Sequence, residues 1–102
     1  MRIISEKRLR DYARRHPAAR VALTAWVQVV RQANWQSIRD VRRVFPTADA
    51  VTVKSDRTAT VFNICGNNYR LVVAIHYNRQ LVFILRFLTH AEYDKDTWKE
   101  TL

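Results

Sequence analysis

Glycine and proline are close to absent from this sequence: Gly66 is the only glycine in 102 residues, and Pro17 and Pro46 are the only prolines. A chain with so few breakers has no room for a linker or a low-complexity tail, and its length fits one domain over residues 1–102. Such a domain can bury roughly 65% of its chain surface on folding. The lone cysteine, Cys65, excludes an internal disulfide and fits a reducing cytoplasm. No run of ~18 apolar residues occurs, so no transmembrane helix and no membrane partner are expected. Met1 to Ser5 lead straight into charged residues, which is not a signal-peptide pattern. A glycine-rich phosphate loop, a His-Glu-x-x-His pair and a Cys-x-x-Cys pair are all missing, and no cofactor is implied.

Acidic residues are scarce as well. Nine Asp and Glu stand against eighteen Lys and Arg, a net charge of +9. The imbalance is local: residues 1–46 hold 11 basic and 3 acidic residues, a surplus of eight, whereas residues 47–102 hold 7 and 6, a surplus of one. Most of the surplus is arginine, whose planar fork suits phosphate contacts better than lysine does. Surface arginines often only solvate helix faces, but a surplus this concentrated favours a polyanionic partner. An acidic protein would satisfy the same field, so charge alone does not choose between RNA and protein. Such a protein would lie over the basic helices, around Arg8, Arg15 or Arg31.

What the sequence does hold is a β-rich second half. Thr60–Cys65, Tyr69–Tyr77 and Leu81–Leu88 are rich in β-branched and aromatic residues, and Gly66-Asn67-Asn68 and Asn78-Arg79-Gln80 break them with turn chemistry. This predicts a three-stranded antiparallel meander whose register is fixed by the apolar faces. Setting Phe62 and Ile64 on the face of Leu71 and Val73 needs a two-residue turn, Gly66-Asn67 or Asn67-Asn68. Setting Leu81, Phe83, Leu85 and Phe87 on that face needs an odd-length loop, which Asn78-Arg79-Gln80 supplies. Before the meander, Arg2-Ile3-Ile4 reads as a short added strand and Val51 to Lys54 as the start of the sheet proper. A first helix follows Ser5 as N-cap, and a second starts at Pro17, with Ala22, Trp26, Val29, Val30 and Ala33 inward. Trp35, Ile38, Val41 and Phe45 suggest a short third helix stopping before Pro46, with Arg39, Arg42 and Arg43 outward as a solvated face or a secondary RNA contact. The class is α+β: two N-terminal helices on a small, mostly antiparallel sheet, closed by a short C-terminal helix.

The face of the sheet away from those helices carries Asn63, Arg70 and Arg86, and His90 leaves the last strand on that side. Thr89-His90-Ala91-Glu92 has the form of a capping box, which starts a helix with His90 and Tyr93 three apart. Ala91, Trp98 and Leu102 form the packing stripe of that helix, so Tyr93 is expected off it. Arginine, histidine and tyrosine without cysteine or carboxylate suit cleavage of a phosphodiester by its own ribose 2′-hydroxyl. That reaction needs a base, an acid and positive charge on the phosphate. Arg70 is the natural clamp, and a histidine such as His90 exchanges protons near neutral pH. Tyr93 either stacks on a base or shares in proton transfer, and the sequence leaves that open. Each has a plainer reading: an ion pair to a C-terminal carboxylate, a helix-start residue, an edge-of-core aromatic. Lys54 and Arg57 are expected near the site as phosphate contacts, with Asn63, Asn68 and Arg86 completing an RNA-binding set. His16 and His76 read as structural. Glu92, Asp96 and Glu100 fall four apart on the terminal helix; a solvated face explains them better than a metal site, and no metal ligand is assigned.

FNICGNNYRL, a hairpin and then THAEYD resemble the HigB family of bacterial toxins, and the likeness extends through the VFP-x-AD junction and the basic helical part. The resemblance implies a RelE-like fold and an endoribonuclease that cuts mRNA on the ribosome. It also implies a helix-turn-helix antitoxin of the HigA kind as partner. In RelE-like toxins a basic residue of the middle strand grips the phosphate, a position that falls on Arg70. The basic residue after the last strand falls on His90, and the tyrosine of the terminal helix falls on Tyr93. Lysines common in the superfamily or in HigB relatives fall on Asn63 and Asn68, which leaves this site less basic than the family pattern. A non-catalytic RNA- or ribosome-binding module is the alternative from another class.

Overall fold

The apolar runs pair in the expected order, and the sheet they form sets every other element. In the computed structural model, which describes residues 1–102, the strands are β1 (Arg2–Ile4), β2 (Asp49–Thr52), β3 (Thr58–Ile64), β4 (Tyr69–His76) and β5 (Leu81–Thr89). The helices are α1 (Glu6–Arg15), α2 (Arg20–Gln32), α3 (Ile38–Val44) and α4 (His90–Asp94). Sheet order is β1-β5-β4-β3-β2, antiparallel throughout except that β1 runs parallel to β5. This is the α+β arrangement expected, and α3 is the short third helix that stops before Pro46.

Between β3 and β4, Phe62 lies opposite Leu71 and Asn63 opposite Arg70. Gly66-Asn67 forms the two-residue turn, closed by the Asn68 amide donating to the Cys65 carbonyl at 3.2 Å. Cys65 and Gly66 both take positive φ, 56° and 66°, a conformation that costs the glycine nothing.

The β4–β5 ladder corrects the expected register. Leu71 does pair with Phe87, as an odd loop requires, but nearer the turn Val73 pairs with Ile84 and Ile75 with Val82. The connection is therefore the even-length Tyr77 to Gln80, and a β-bulge at Leu85 supplies the odd residue. Val82 and Ile84, 0% and 3% exposed, thereby enter the helix-side core, and Phe87 rejoins that side after the bulge. Leu81 and Phe83 turn to the opposite side, where Phe83 meets the His76 ring at 5.0 Å. The Ile84 carbonyl beside the bulge accepts from Arg8 Nη1 at 3.1 Å.

The helices cover one face of this sheet. Leu9, Leu23, Trp26 and Val30 pack with Phe62, Leu71, Val73 and Val82 in the main core, which also takes Trp35 and Val41. Leu23 holds the inward place expected of Val29, which is 38% exposed. Ser5 is left-handed and gives no side-chain cap, and Pro17 opens a 3-10 turn that precedes α2. Over the other face lies a smaller cluster in which Trp98 sits on Val53, Ala59, Val61 and Val72. The terminal segment reaches it because α4 stops at Asp94 and Asp96 turns the chain with φ 60° into a 3-10 turn, Thr97–Thr101. The single packing stripe expected along one terminal helix is thus broken: Ala91 is exposed, and Tyr93 stacks on Trp98 at 5.4 Å.

Candidate active site

Arg70, His90 and Tyr93 converge where β4 begins and β5 ends. Arg70 pairs with Leu88 across these strands, and His90, two residues beyond Leu88, leaves the sheet on the same face, where the Arg70 side chain reaches it. The capping box fixes the entry into α4: the Glu92 amide donates to Thr89 Oγ1 at 3.2 Å, and the Thr89 amide to Glu92 Oε1 at 2.9 Å. The His90 amide donates to the Asn68 carbonyl at 3.0 Å, tying α4 to the β3–β4 turn.

Arg70 is 8% exposed and has no carboxylate partner. Its Nη1 donates to the carbonyls of Asn67 and Tyr69, both at 3.1 Å, and Nη2 donates to Asn67 Oδ1 at 3.4 Å and contacts His90 Nδ1 at 3.2 Å. The expected alternative, an ion pair with a C-terminal carboxylate, is therefore absent. Guanidinium can only donate, so Nδ1 of His90 accepts and the ring proton sits on Nε2. That proton points to Asp94 Oδ2 at 3.1 Å. The guanidinium carbon also lies 5.4 Å from the centre of the Tyr93 ring. Burial, chiefly, with Asp49 adding to it, raises the Tyr93 phenol above the usual tyrosine range, so it stays protonated at neutral pH.

The other expected contacts divide by position. Asn63 is half-buried directly across from Arg70, and Asn68 contributes its carbonyl to the turn that seats His90. Arg86 lies opposite Val72 on the same face, with its Nη1 on the Leu85 carbonyl and its Nη2 on Thr101 Oγ1 at 3.2 Å. Lys54 and Arg57 are not brought to the site. They lie at the β2–β3 turn, at the far end of β3, roughly 20 Å of strand from Asn63. Lys54 faces Glu100 at 3.9 Å. Glu92, Asp96 and Glu100 do not share a face: Glu92 closes the capping box, Asp96 pairs with Lys99, and Glu100 with Lys54.

Two further residues contact this group without having been singled out by the sequence. Asp94 follows His90 by four residues on the same helix, a spacing that could have identified it. Asn67 was read only as a turn former, yet both its carbonyl and its side chain hold Arg70.

Comparison with known proteins adds a family context. Residues 19–96 match the family described as HigB_toxin, the RelE-like toxic component of a toxin–antitoxin system. The mRNA interferase HigB of Escherichia coli O6:H1 is 30% identical over 97 residues, covering 95% of this chain and 92% of that protein. The mRNA interferase toxin HigB of Escherichia coli K12 is 30% identical over 94 residues, covering 92% and 88% respectively. The mRNA interferase HigB of Shigella flexneri matches to the same extent.

Proposed function

The chain belongs to the HigB family of RelE-like toxins, and from that premise we propose that it is an mRNA interferase whose active site is Arg70, His90 and Tyr93. The observation that carries the site is Arg70 itself. A buried cation whose partners are all neutral is a costly arrangement unless an anion completes it. The scissile phosphate is that anion.

The reaction follows from the geometry. The ribose 2′-oxygen bonds to phosphorus and the bond to the 5′-oxygen breaks, leaving a cyclic phosphate and a free 5′-hydroxyl. As the phosphate takes Nη2 of Arg70, Nδ1 of His90 is released beside it and accepts the 2′-hydroxyl proton. Asp94 keeps hold of Nε2–H and stabilises the imidazolium that results. Tyr93, kept protonated, is the group available to protonate the leaving 5′-oxygen or to stack on a base. Asn63 beside Arg70 supplies no charge, which suits a substrate presented by the ribosome over free RNA. The partners in this reading are ribosome-bound mRNA and a helix-turn-helix antitoxin, and the compartment is the cytoplasm. No helix is long and apolar enough to cross a membrane.

Growth arrest and mRNA cleavage test the proposal. His90→Ala and Arg70→Ala should each lower cleavage roughly 100-fold or more while circular dichroism stays native, and Arg39→Ala should not. Arrest that survives His90→Ala would favour the non-catalytic binding module instead.

A further inference from the structure

The bulge at Leu85, which sends Val82 and Ile84 to the helices, leaves Leu81 and Phe83 on the face that carries Arg70. Alternate residues of β4 continue that face from Arg70 through Val72 and Ala74 to His76, opposite Leu88, Arg86, Phe83 and Leu81 of β5. Arg2 and Ile4 of β1, paired with Leu81 and Phe83, extend it to the sheet edge. Trp98 and the terminal turn cover only the part around Val53, Ala59, Val61 and Val72. Ile4, Ala74, Leu81 and Phe83 are half-buried and belong to neither core. His76, expected from the sequence to be structural, is exposed, and its ring leans on Phe83 at 5.0 Å with a tilt of 57°.

Charge in this part of the sheet has one sign. The strands β1, β4 and β5 and the β4–β5 connection contain four arginines, Arg2, Arg70, Arg79 and Arg86, and no Asp or Glu. None of the four is paired with a carboxylate from elsewhere in the chain. A polyanion is attracted to such a surface, and an aromatic pair set among cations is how single-stranded nucleic acid is held. Every base has a face that stacks, while the backbone takes the arginines. A docked protein helix would instead need an apolar stripe several turns long, and one exposed ring pair is closer to the size of a base. From Arg70 to His76 is six residues of β4, roughly 20 Å, which places such a base a few nucleotides from the cut. Resting on the mRNA-interferase reading, we infer that Phe83 and His76 form a stacking subsite for an unpaired base of the same message. Arg86, midway along the face opposite Val72, steadies the backbone between the two points. The subsite adds affinity and register without touching the reacting atoms.

The test uses the full-length toxin on ribosomes programmed with a short mRNA. Phe83→Leu keeps an apolar side chain at a half-buried position, so circular dichroism should stay native while KM rises roughly 10-fold and kcat is unchanged. Phe83→Trp should keep the wild-type KM, because an indole stacks on a base as a phenyl ring does. His76→Ala, at an exposed position, should raise KM in the same direction by less. Abasic residues placed in turn about two to four nucleotides to either side of the cut should, at one position, raise KM for the wild type and leave Phe83→Leu unaffected. In a His90→Ala background, adding Phe83→Leu should weaken affinity for the programmed ribosome to the same extent. That readout needs no cleavage, which separates this inference from the assignment of the catalytic site. Unchanged KM and affinity in Phe83→Leu, or no position at which the abasic effect depends on Phe83, overturns the inference. Loss of antitoxin affinity in Phe83→Leu with KM intact overturns it in favour of a protein-docking surface.

Discussion

At the residue scale the proposed site depends on a chain of four groups: Asn67 holds Arg70, Arg70 holds one nitrogen of His90, and Asp94 holds the other. The arginine selects the tautomer, because it can only donate, while the carboxylate fixes the ring plane and offsets the charge the ring acquires. Asp94 therefore works through His90 and is a positioning residue. Asp94→Ala should lower the cleavage rate roughly 10-fold or more with little change in substrate affinity. Nitrogen NMR of the His90 ring tells this role from a merely structural one. Asp94→Ala should leave Nδ1 unprotonated, whereas Arg70→Ala should let the proton exchange between the two nitrogens. A ring unaffected by both substitutions would contradict the chain of contacts.

At the scale of elements, α4 is too short to be stable alone, at five residues. Its geometry rests on the capping box, and with it the approach of His90 to Arg70. Hydrogen bonding to the Thr89 backbone is the main cause that lowers the Glu92 carboxyl below its usual range. A lowered folded value means the stabilisation is complete above the ordinary carboxylate range and disappears as pH falls through the lowered value. Thr89→Ala should cost about 1 kcal/mol at neutral pH. Glu92→Ala instead removes the carboxylate that accepts from the Thr89 amide, and urea unfolding should show that its deficit relative to wild type shrinks in acid. A deficit equal at neutral and acid pH would mean that Glu92 contributes nothing through its charge.

For the whole molecule, the sheet needs cover on both faces, and the two covers differ in strength. The helices bury one face thoroughly, whereas the other relies on Trp98 folded back by the turn at Asp96. Trp98 is 5% exposed, and its Nε1 donates to the Tyr93 carbonyl at 3.1 Å. It joins the minor core to the candidate active site through the Tyr93 ring. Trp98→Ala should destabilise the fold by about 3–5 kcal/mol, while Trp98→Phe should retain more of the packing. Thermal unfolding reads the first effect, and cleavage by the folded fraction reads the loosening of Tyr93. The charge is distributed separately from all of this: the arginine surplus lies in residues 1–46, mostly on the helices, and Arg70, His90 and Tyr93 lie on the other side of the sheet.

Much of this was determined by the sequence alone. Alternation in Thr60–Cys65 and Tyr69–Tyr77 specified which side chains face the helices, because a strand has only two faces and one must be dry. Thr89 and Glu92 specified where α4 begins, because a capping box is a local structure needing no distant partner. The convergence of Arg70, His90 and Tyr93 was legible for the same reason: Arg70 follows from strand parity, and His90 and Tyr93 from helical spacing. Tertiary structure decided what local pattern could not express. The bulge at Leu85 arises from competition between two apolar parities in β5, which only the core could settle by admitting Val82 and Ile84. Asp96 breaks the terminal helix so that Trp98 can bury itself on the sheet, a gain invisible to helical periodicity. Lys54 and Arg57, expected near the site, sit at the other end of β3 from Asn63, because a strand carries the chain away from its own start. The bonds that set His90 between Arg70 and Asp94 exist only once β4, β5 and α4 are assembled, since Arg70 and His90 lie twenty residues apart in the chain.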